Sequence, residues 1–325
     1  MTESLTDGWK DRSAGLIIFG AIQILFGVGA VCMLFGMAAA SELQSRGSGA
    51  APIPATSLVA TVVMYALLAV YFFTVGIGSI RKRRWARALS LVVSALWLFV
   101  GIVGVGAVAI MMPHLSAAIR PSAEVAIMTT VMVVTGTIYI AIPLALFPFY
   151  RSPHVKATCE ARDPVPRWTD RVPVPILALV LMMASAAVSV IACVAYGIAP
   201  VFGVVLTGAP AIIVLVAMAA LCAFVAVRLY QLKRSAWWTV VLLIVIGIVN
   251  AAYTFTRLDL DKLYEQMGIM TPQLRAMHLA DLYRDPMLWV LMGVSWLAFL
   301  GYVIWTRRFF DVPPPRTRAG DTVAG

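Results

Sequence analysis

Apolar residues form long continuous runs in this chain, separated by short segments that contain charge, proline or both. A helix that crosses the roughly 30 Å hydrocarbon core of a bilayer needs about 20 apolar residues, because each residue adds about 1.5 Å. Since apolar and polar residues do not alternate, a porin-type barrel is excluded. The pattern predicts an all-α, polytopic helical integral membrane protein with about eight transmembrane helices. The predicted spans are 14–40, 57–80, 88–112, 125–150, 175–197, 210–230, 237–256 and 287–306.

Composition supports this prediction and excludes other classes of protein. The 325 residues are 62% hydrophobic and 12% charged, whereas a soluble domain is about 45–50% apolar and about 25% charged. A soluble globular enzyme, a disordered chain and a disulfide scaffold are therefore excluded.

The basic residues predict the orientation of the chain. One side of the predicted bundle, which includes both termini, carries 19 of the 25 Lys and Arg residues. Because cytoplasmic loops are enriched in Lys and Arg, we expect both termini in the cytoplasm and the spans in the cytoplasmic (inner) membrane. Trp85 and Trp168 lie among these basic residues, but tryptophan is also enriched at membrane interfaces. Membrane lipids are therefore the expected partner, and nucleic acid is not.

The spans divide into two halves of four helices. Arg83-Arg84-Trp85-Ala86-Arg87 in the first half has a counterpart 150 residues later, Lys233-Arg234-Ser235-Ala236-Trp237. Two parallel four-helix repeats would explain this spacing; so would the basic loop that any helical pair carries on this side. The predicted organisation is a first membrane half 1–150, a Pro-rich cytoplasmic linker 151–174, a second membrane half 175–309 and a cytoplasmic tail 310–325.

Three connecting segments allow further expectations. The prolines of linker 151–174 predict a stiff strap rather than a helix, acting as a spacer or a docking segment. Segment 198–209 is uncharged, and we expect a surface loop there, with a dip into the membrane as the alternative. External segment 257–286 predicts two short amphipathic helices, separated at Gly268 and Thr271-Pro272. These would cap the bundle, lie on the membrane surface or bind a protein partner.

The predicted spans contain no Asp, Glu, Lys, Arg or His near their centres. Buried ionisable groups mark proton relays, ion pathways and intramembrane proteases, so the sequence argues against these functions. The polar residues at depth include Gln23, Asn250 and Tyr139, and we expect Gln23 and Asn250 to hydrogen-bond between helices. Ser185 and Ser189 predict close helix approach. Pro143 predicts a kink, a feature that can mark a binding cavity.

No residue set predicts a catalytic, cofactor or metal site with recognisable geometry. His114, His154 and His278 fall between the predicted spans, which excludes a membrane cytochrome. The four cysteines form no C-x-x-C motif. The pairs Met33/Met37 and Met128/Met132 each share a helix face and suggest Cu(I) binding, with Cys32 and His114 nearby. Packing of flexible methionine side chains explains the same pairs.

Two functions remain. The favoured hypothesis is a non-enzymatic accessory, scaffold or assembly subunit, with a partner in the membrane or at 257–286. The alternative is a permease or lipid-handling protein for a neutral or apolar substrate, not proton- or ion-coupled. The alternative requires a polar-lined midplane cavity between the halves, faced by Asn250 or Gln23. An enzyme would be confined to His114, His278 and Asp281, which show no recognisable arrangement.

Overall fold

The computed structural model describes residues 10–47, 55–116, 121–266 and 285–310. Within these ranges eight helices are long and apolar enough to cross a bilayer, which confirms the all-α polytopic fold. The helices are α1 Ser13–Gly47, α2 Ala55–Ile80, α3 Arg84–Ser116, α4 Pro121–Gly136, α5 Ile142–Arg151, α6 Pro153–Arg162, α7 Val174–Cys193, α8 Ala209–Tyr230, α9 Arg234–Arg257, α10 Leu260–Gln266 and α11 Pro286–Thr306. A π-helical segment, Thr137–Ala141, joins α4 to α5 so that the two form one span.

The spans pack into two cores that meet on α3. In each half the first two spans form a close pair, α1 with α2 and α7 with α8. A third buried cluster joins the halves, because Ala88 and Val92 of α3 contact Ile176 and Leu177 of α7. Val172 of the linker belongs to this cluster. The basic turns between α2 and α3 and between α8 and α9 lie at one end of the bundle, which we call the basic face.

The two turns that suggested an internal repeat have the same backbone geometry. Lys82 and Leu232, 150 residues apart, have positive φ angles of 54° and 56°. The next N–H in each turn, of Arg83 or Lys233, donates to a carbonyl five residues earlier at 2.9 and 3.0 Å. Each turn is therefore a Schellman motif, which ends a helix through one left-handed residue. Duplication of the halves stays a prediction that this similarity supports.

The prediction that linker 151–174 lacks helix is wrong for its first part. Pro153 is the first residue of α6 and follows Ser152, whose ψ is 135°. The fixed φ of proline suits this first position, and the Lys, Ala, Glu and Arg residues that follow favour helix. Val155, Thr158 and Cys159 bury one face of α6. The remaining linker holds three prolines and only one 3-10 turn, Trp168–Asp170.

Segment 198–209 is a β-hairpin rather than an irregular loop. Strand β1, Ile198–Val201, pairs antiparallel with β2, Val204–Thr207. The turn residues Phe202 and Gly203 have φ angles of 45° and 79°, as a two-residue type I′ turn requires. Pairing satisfies most of the backbone groups that an open loop would expose at a membrane surface.

The hairpin is held by α9, which corrects the prediction for Asn250. Its Oδ1 accepts the Phe202 N–H at 2.6 Å, and the Oγ1 of Thr254 accepts the Gly203 N–H at 3.3 Å. Asn250 therefore binds hairpin backbone rather than a neighbouring helix. It lies about 10 Å along α9 from Arg257, so the turn packs inward of the helix end.

The first predicted external amphipathic helix is present as α10. Leu263 is buried, whereas Lys262 and Glu265 are exposed. Tyr264 packs against a cluster centred on Leu288 of α11 and including residues of α3. This helix therefore caps the outer end of the bundle. Gly268, Thr271 and Pro272, with the second predicted helix, lie outside the described residues.

The helix before Pro143 contains a π-helical turn, and the predicted kink stays a prediction. The Ile142 N–H donates to the Thr137 carbonyl, five residues earlier. Proline has no N–H and its ring would clash with the carbonyl of Tyr139, four residues earlier, so a wider turn accommodates it. The Tyr139 carbonyl then faces α3 at Gly101, where a Cβ atom would overlap the carbonyl oxygen.

We predict that Gly101→Ala destabilises the protein by about 1–3 kcal/mol, because a side chain there forces α3 away from Tyr139. Gly104→Ala on the same helix is the matched control, since a Cβ there meets no atom within 4 Å. Thermal unfolding in detergent measures both. Equal midpoints for the two variants would contradict the close packing of α3 against the π-helical segment.

Candidate functional site

A groove runs between the two halves, bordered by α2 and α7. Two adjacent cavities of about 570 and 290 Å³, which share Met64 and Ser189 in their linings, lie along this groove. We call it the inter-half groove. It is lined by Thr61, Met64, Tyr65, Leu67, Leu68, Tyr71, Tyr139, Ser185, Val188, Ser189, Ala192, Cys193 and Tyr196.

The groove extends from the middle of the spans toward the outer end. The α2 span runs from Thr61 to Ile80, and Tyr71 lies about 15 Å along the helix from Thr61. Ser185 lies about 16 Å along α7 from Val174. Both distances are near half of a roughly 30 Å hydrocarbon core. The space therefore reaches the middle of the spans, at a depth where a hydrocarbon core contains no water to supply hydrogen-bond partners.

Four hydroxyl groups in the groove have no hydrogen-bond partner within the described part of the chain. They belong to Tyr65, Tyr139, Ser189 and Tyr196. By contrast, Ser185 donates to the Met182 carbonyl at 2.9 Å. An unpaired hydroxyl in apolar surroundings costs about 1–3 kcal/mol on the scale of protein mutations. The groove thus offers polar groups that a bound molecule would satisfy.

The fold fixes where these hydroxyls lie. Tyr139 belongs to the π-helical segment, and its ring meets that of Trp97 edge-on, with centroids 6.4 Å apart. Ser185 and Ser189 are one turn apart on α7, so both reach the same face. Both serines are exposed, which corrects the prediction that they allow close helix approach.

Gln23 has the structural role that its sequence position predicts. Its Nε2 donates to the Ser90 hydroxyl at 2.9 Å, and the Ser79 hydroxyl donates to its Oε1 at 3.3 Å. The Ser79 and Tyr150 hydroxyls are 2.9 Å apart. This buried network joins α1, α2, α3 and α5. Neither Gln23 nor Asn250 lines the inter-half groove, although the permease hypothesis assigned one of them there.

A buried carboxylate fastens the linker to the turn between α2 and α3. Asp163 is 2% exposed and accepts hydrogen bonds from Arg167 Nη2 at 2.7 Å and Arg83 Nη1 at 3.5 Å. The backbone N–H of Arg84 donates to it at 3.4 Å. Hydrogen bonding from Arg167 is the main cause that holds the pKa of Asp163 below its ordinary value, against the opposing effect of burial. Asp163 is therefore ionised at neutral pH and locks the linker in place.

Cys159 lies beside this junction but is a packing residue. It is 1% exposed and belongs to the core of the first half with Leu16 and Val155. Burial raises the pKa of its thiol to about 11. Because the thiolate is the reactive form, Cys159 is not a nucleophile at neutral pH.

Two histidines lie on helices, which corrects their prediction as loop residues. His114 falls within α3, which continues beyond its apolar run, and His154 falls within α6, the separate helix of the linker. The Nδ1 of His154 accepts the Lys10 N–H at 3.3 Å. His278 and Asp281 lie outside the described residues.

The methionine pairs are not assembled into a site by the described residues. Met33 is 59% exposed on α1, and Cys32 beside it is exposed as well. The described ranges contain no group of three or more His, Cys, Asp or Glu residues that could hold a metal ion. Binding of Cu(I) stays a prediction.

The sequence reasoning missed Tyr65 and Tyr71 as candidate site residues. A tyrosine inside an apolar run, away from the interfacial ends, is the signal that could have found them. Comparison of the chain with protein-family models, curated proteins and solved structures gives no match.

We predict that Asp163→Asn lowers the free energy of unfolding by about 1–3 kcal/mol, because the amide has no charge and only one acceptor oxygen for the donors of Arg167 and Arg84. Glu160→Gln is the control, since Glu160 is 40% exposed and pairs with Arg84 at 2.9 Å. An exposed pair contributes about 0–1 kcal/mol.

The effect of Asp163→Asn depends on pH in a defined direction. The folded pKa is depressed, so the carboxylate stabilises above the unfolded pKa of about 3.9, and this contribution is lost as the pH falls through the folded value. The difference between wild type and variant is therefore full from about pH 5 upward and shrinks as the pH falls below about 4 toward the folded pKa. Unfolding midpoints measured across this range check it; a difference that grows on acidification would contradict the assignment.

Proposed function

We propose that the protein is a non-enzymatic membrane protein that binds a neutral amphiphilic lipid in the inter-half groove. The observation that carries the proposal is the set of unpaired hydroxyls of Tyr65, Tyr139 and Ser189 on the wall of a space lined by apolar side chains and hydroxyls. The larger cavity, about 570 Å³, has the size of ordinary small-molecule pockets, which are about 300–1,000 Å³.

The lining favours a neutral ligand. It consists of apolar side chains and hydroxyls, and the residues that border the two cavities include no Asp, Glu, Lys, Arg or His. A charged group in this space would lack a counter-ion at a depth where it is costly. Binding is therefore proposed to be uncoupled from protons and ions.

Selectivity in the groove would come from hydrogen bonds. A lipid chain gains little by leaving other lipid chains, since these are as apolar as the groove wall. Two hydrogen bonds of about 0.5–1.5 kcal/mol each provide about a tenfold preference. The ligand is accordingly an amphiphile whose ester, keto or hydroxyl oxygens meet Tyr65, Tyr139 and Ser189 while its chain follows the apolar wall.

The role of accessory, scaffold or assembly subunit is the second proposal. Exposed apolar side chains at the outer end of the bundle support it, namely Phe202 and Val204 of the hairpin at 44% and 59% exposure. A protein partner that covers the hairpin would bury this exposed apolar surface. Segment 257–286, of which α10 forms the first part, is proposed as part of the same surface.

Purification in mild detergent, followed by lipid and protein analysis of the same sample, tests both proposals. We expect the wild-type protein to retain a neutral lipid, and Tyr139→Phe with Ser189→Ala to reduce its occupancy about tenfold. The control, Tyr253→Phe with Ser235→Ala, removes one tyrosine and one serine hydroxyl outside the groove and should leave the lipid occupancy unchanged. Ser189→Phe, which fills the groove, should abolish binding.

Equal lipid retention in the two double variants, or wild-type protein without neutral lipid, would contradict the lipid proposal. A second protein in constant ratio, retained by every variant, would support the accessory role instead.

We propose further that the basic face lies in the cytoplasm, as the excess of Lys and Arg on it suggests. Fusion of a fluorescent protein or of alkaline phosphatase to the C-terminus of the full chain tests this orientation. The fluorescent fusion should be bright and the phosphatase fusion inactive, because each reporter matures on one side of the cytoplasmic membrane. The reverse result would contradict the orientation.

A further inference from the structure

A further cavity, separate from the two in the inter-half groove, opens at the basic face, at the opposite end of α2. Its volume is about 450 Å³. Thr74, Ile77 and Gly78 of α2 form its apolar side, and Trp85 of α3 forms a wall. Three arginines, Arg81, Arg83 and Arg167, border it. The space thus combines an apolar floor with a positively charged rim.

Two of the three arginines of the rim are held in place by one carboxylate, which cannot neutralise both. Arg167 uses Nε and Nη2 to bind Asp163, and Arg83 reaches the same carboxylate with Nη1 at 3.5 Å. Their side chains remain 37% and 41% exposed. Arg81 is exposed and has no acidic partner within the described part of the chain. One carboxylate therefore orients two guanidinium groups, and a third stands beside them unpaired.

The chemistry of this rim fits a phosphate group. Guanidinium groups donate paired, charge-assisted hydrogen bonds whose geometry matches phosphate oxygens. Because Asp163 already orients Arg83 and Arg167, ligand binding costs less side-chain entropy than it would with freely moving arginines. Because positive charge exceeds negative charge at the rim, a ligand with net negative charge is favoured over a zwitterion, which brings its own cation.

The apolar surface below the rim indicates that the phosphate belongs to a lipid. Ile77 is 43% exposed, and Val70, two turns further into the span, is 62% exposed. With Thr74 between them, these residues form a stripe along one face of α2. Trp85 stands beside the rim, where an amphipathic ring is suited to the interface. An acyl chain that follows this stripe extends directly from a headgroup held by the arginines.

We propose that this cavity binds the phosphate of an anionic phospholipid in the leaflet at the basic face. The site is separate from the inter-half groove in position and in the charge of its ligand. Binding here depends on individual residues, in addition to the general attraction between a basic surface and an anionic membrane.

Titration of the full-length protein in detergent, followed by intact-complex mass spectrometry, tests the site. The probes are phosphatidylglycerol, phosphatidylcholine with the same chains, and inorganic phosphate. We expect preferential binding of phosphatidylglycerol, reduced about tenfold by Arg81→Gln with Arg83→Gln. The control is Arg151→Gln with Lys233→Gln, which removes two exposed charges from the same face outside the cavity and should change affinity less than about twofold.

Equal loss in the two double variants would overturn the proposal, because it would show attraction to the whole face. Displacement of the lipid by millimolar inorganic phosphate would overturn the assignment to a lipid.

If the double variant fails to fold, the single variant Arg81→Gln tests the site, since Arg81 has no ion pair among the described residues. We expect about a threefold loss for this single variant, and an unchanged affinity would contradict the site. Neutral lipid in the inter-half groove should be unaffected by these variants, so the two proposals fail independently.

Discussion

A polar group in hydrocarbon must find its partner within the protein, and this constraint governs the whole structure. It makes each span helical, and it pairs the two strands of the hairpin. Asn250 and Thr254 bind the backbone of its turn, and the Gln23 side chain is shared between two serines. Against this background, several unpaired hydroxyls lie together on the wall of the inter-half groove, and this grouping carries the functional proposal.

The two halves are fastened at the basic face and along α3, and the groove lies where they separate. Asp163 binds the linker to the turn between α2 and α3, and the cluster around Ile176 packs α7 onto α3. Tyr139 borders the space between α2 and α7, and α2 contacts the 3-10 turn Val194–Tyr196 at the outer end of the α7 span. The groove therefore lies between contacts at the basic face and contacts at the outer end.

Long-range periodicity predicted the spans, because length and apolarity are properties of each segment alone. Gln23 was also predictable, since a single amide in an apolar run needs a partner. The hairpin and α6 were missed: the hairpin depends on positive φ angles at Phe202 and Gly203, and α6 depends on burial of Val155 against another helix. The groove could not be predicted either, because it depends on the angle between α2 and α7 and on the turn that directs Tyr139.

Electron cryomicroscopy of the protein in lipid nanodiscs tests the central claim most directly. The account predicts continuous density in the inter-half groove, with a polar end within hydrogen-bond distance of the hydroxyls of Tyr65, Tyr139 and Ser189. A groove closed by direct packing of α2 against α7, with these hydroxyls bonded to protein groups, would contradict it.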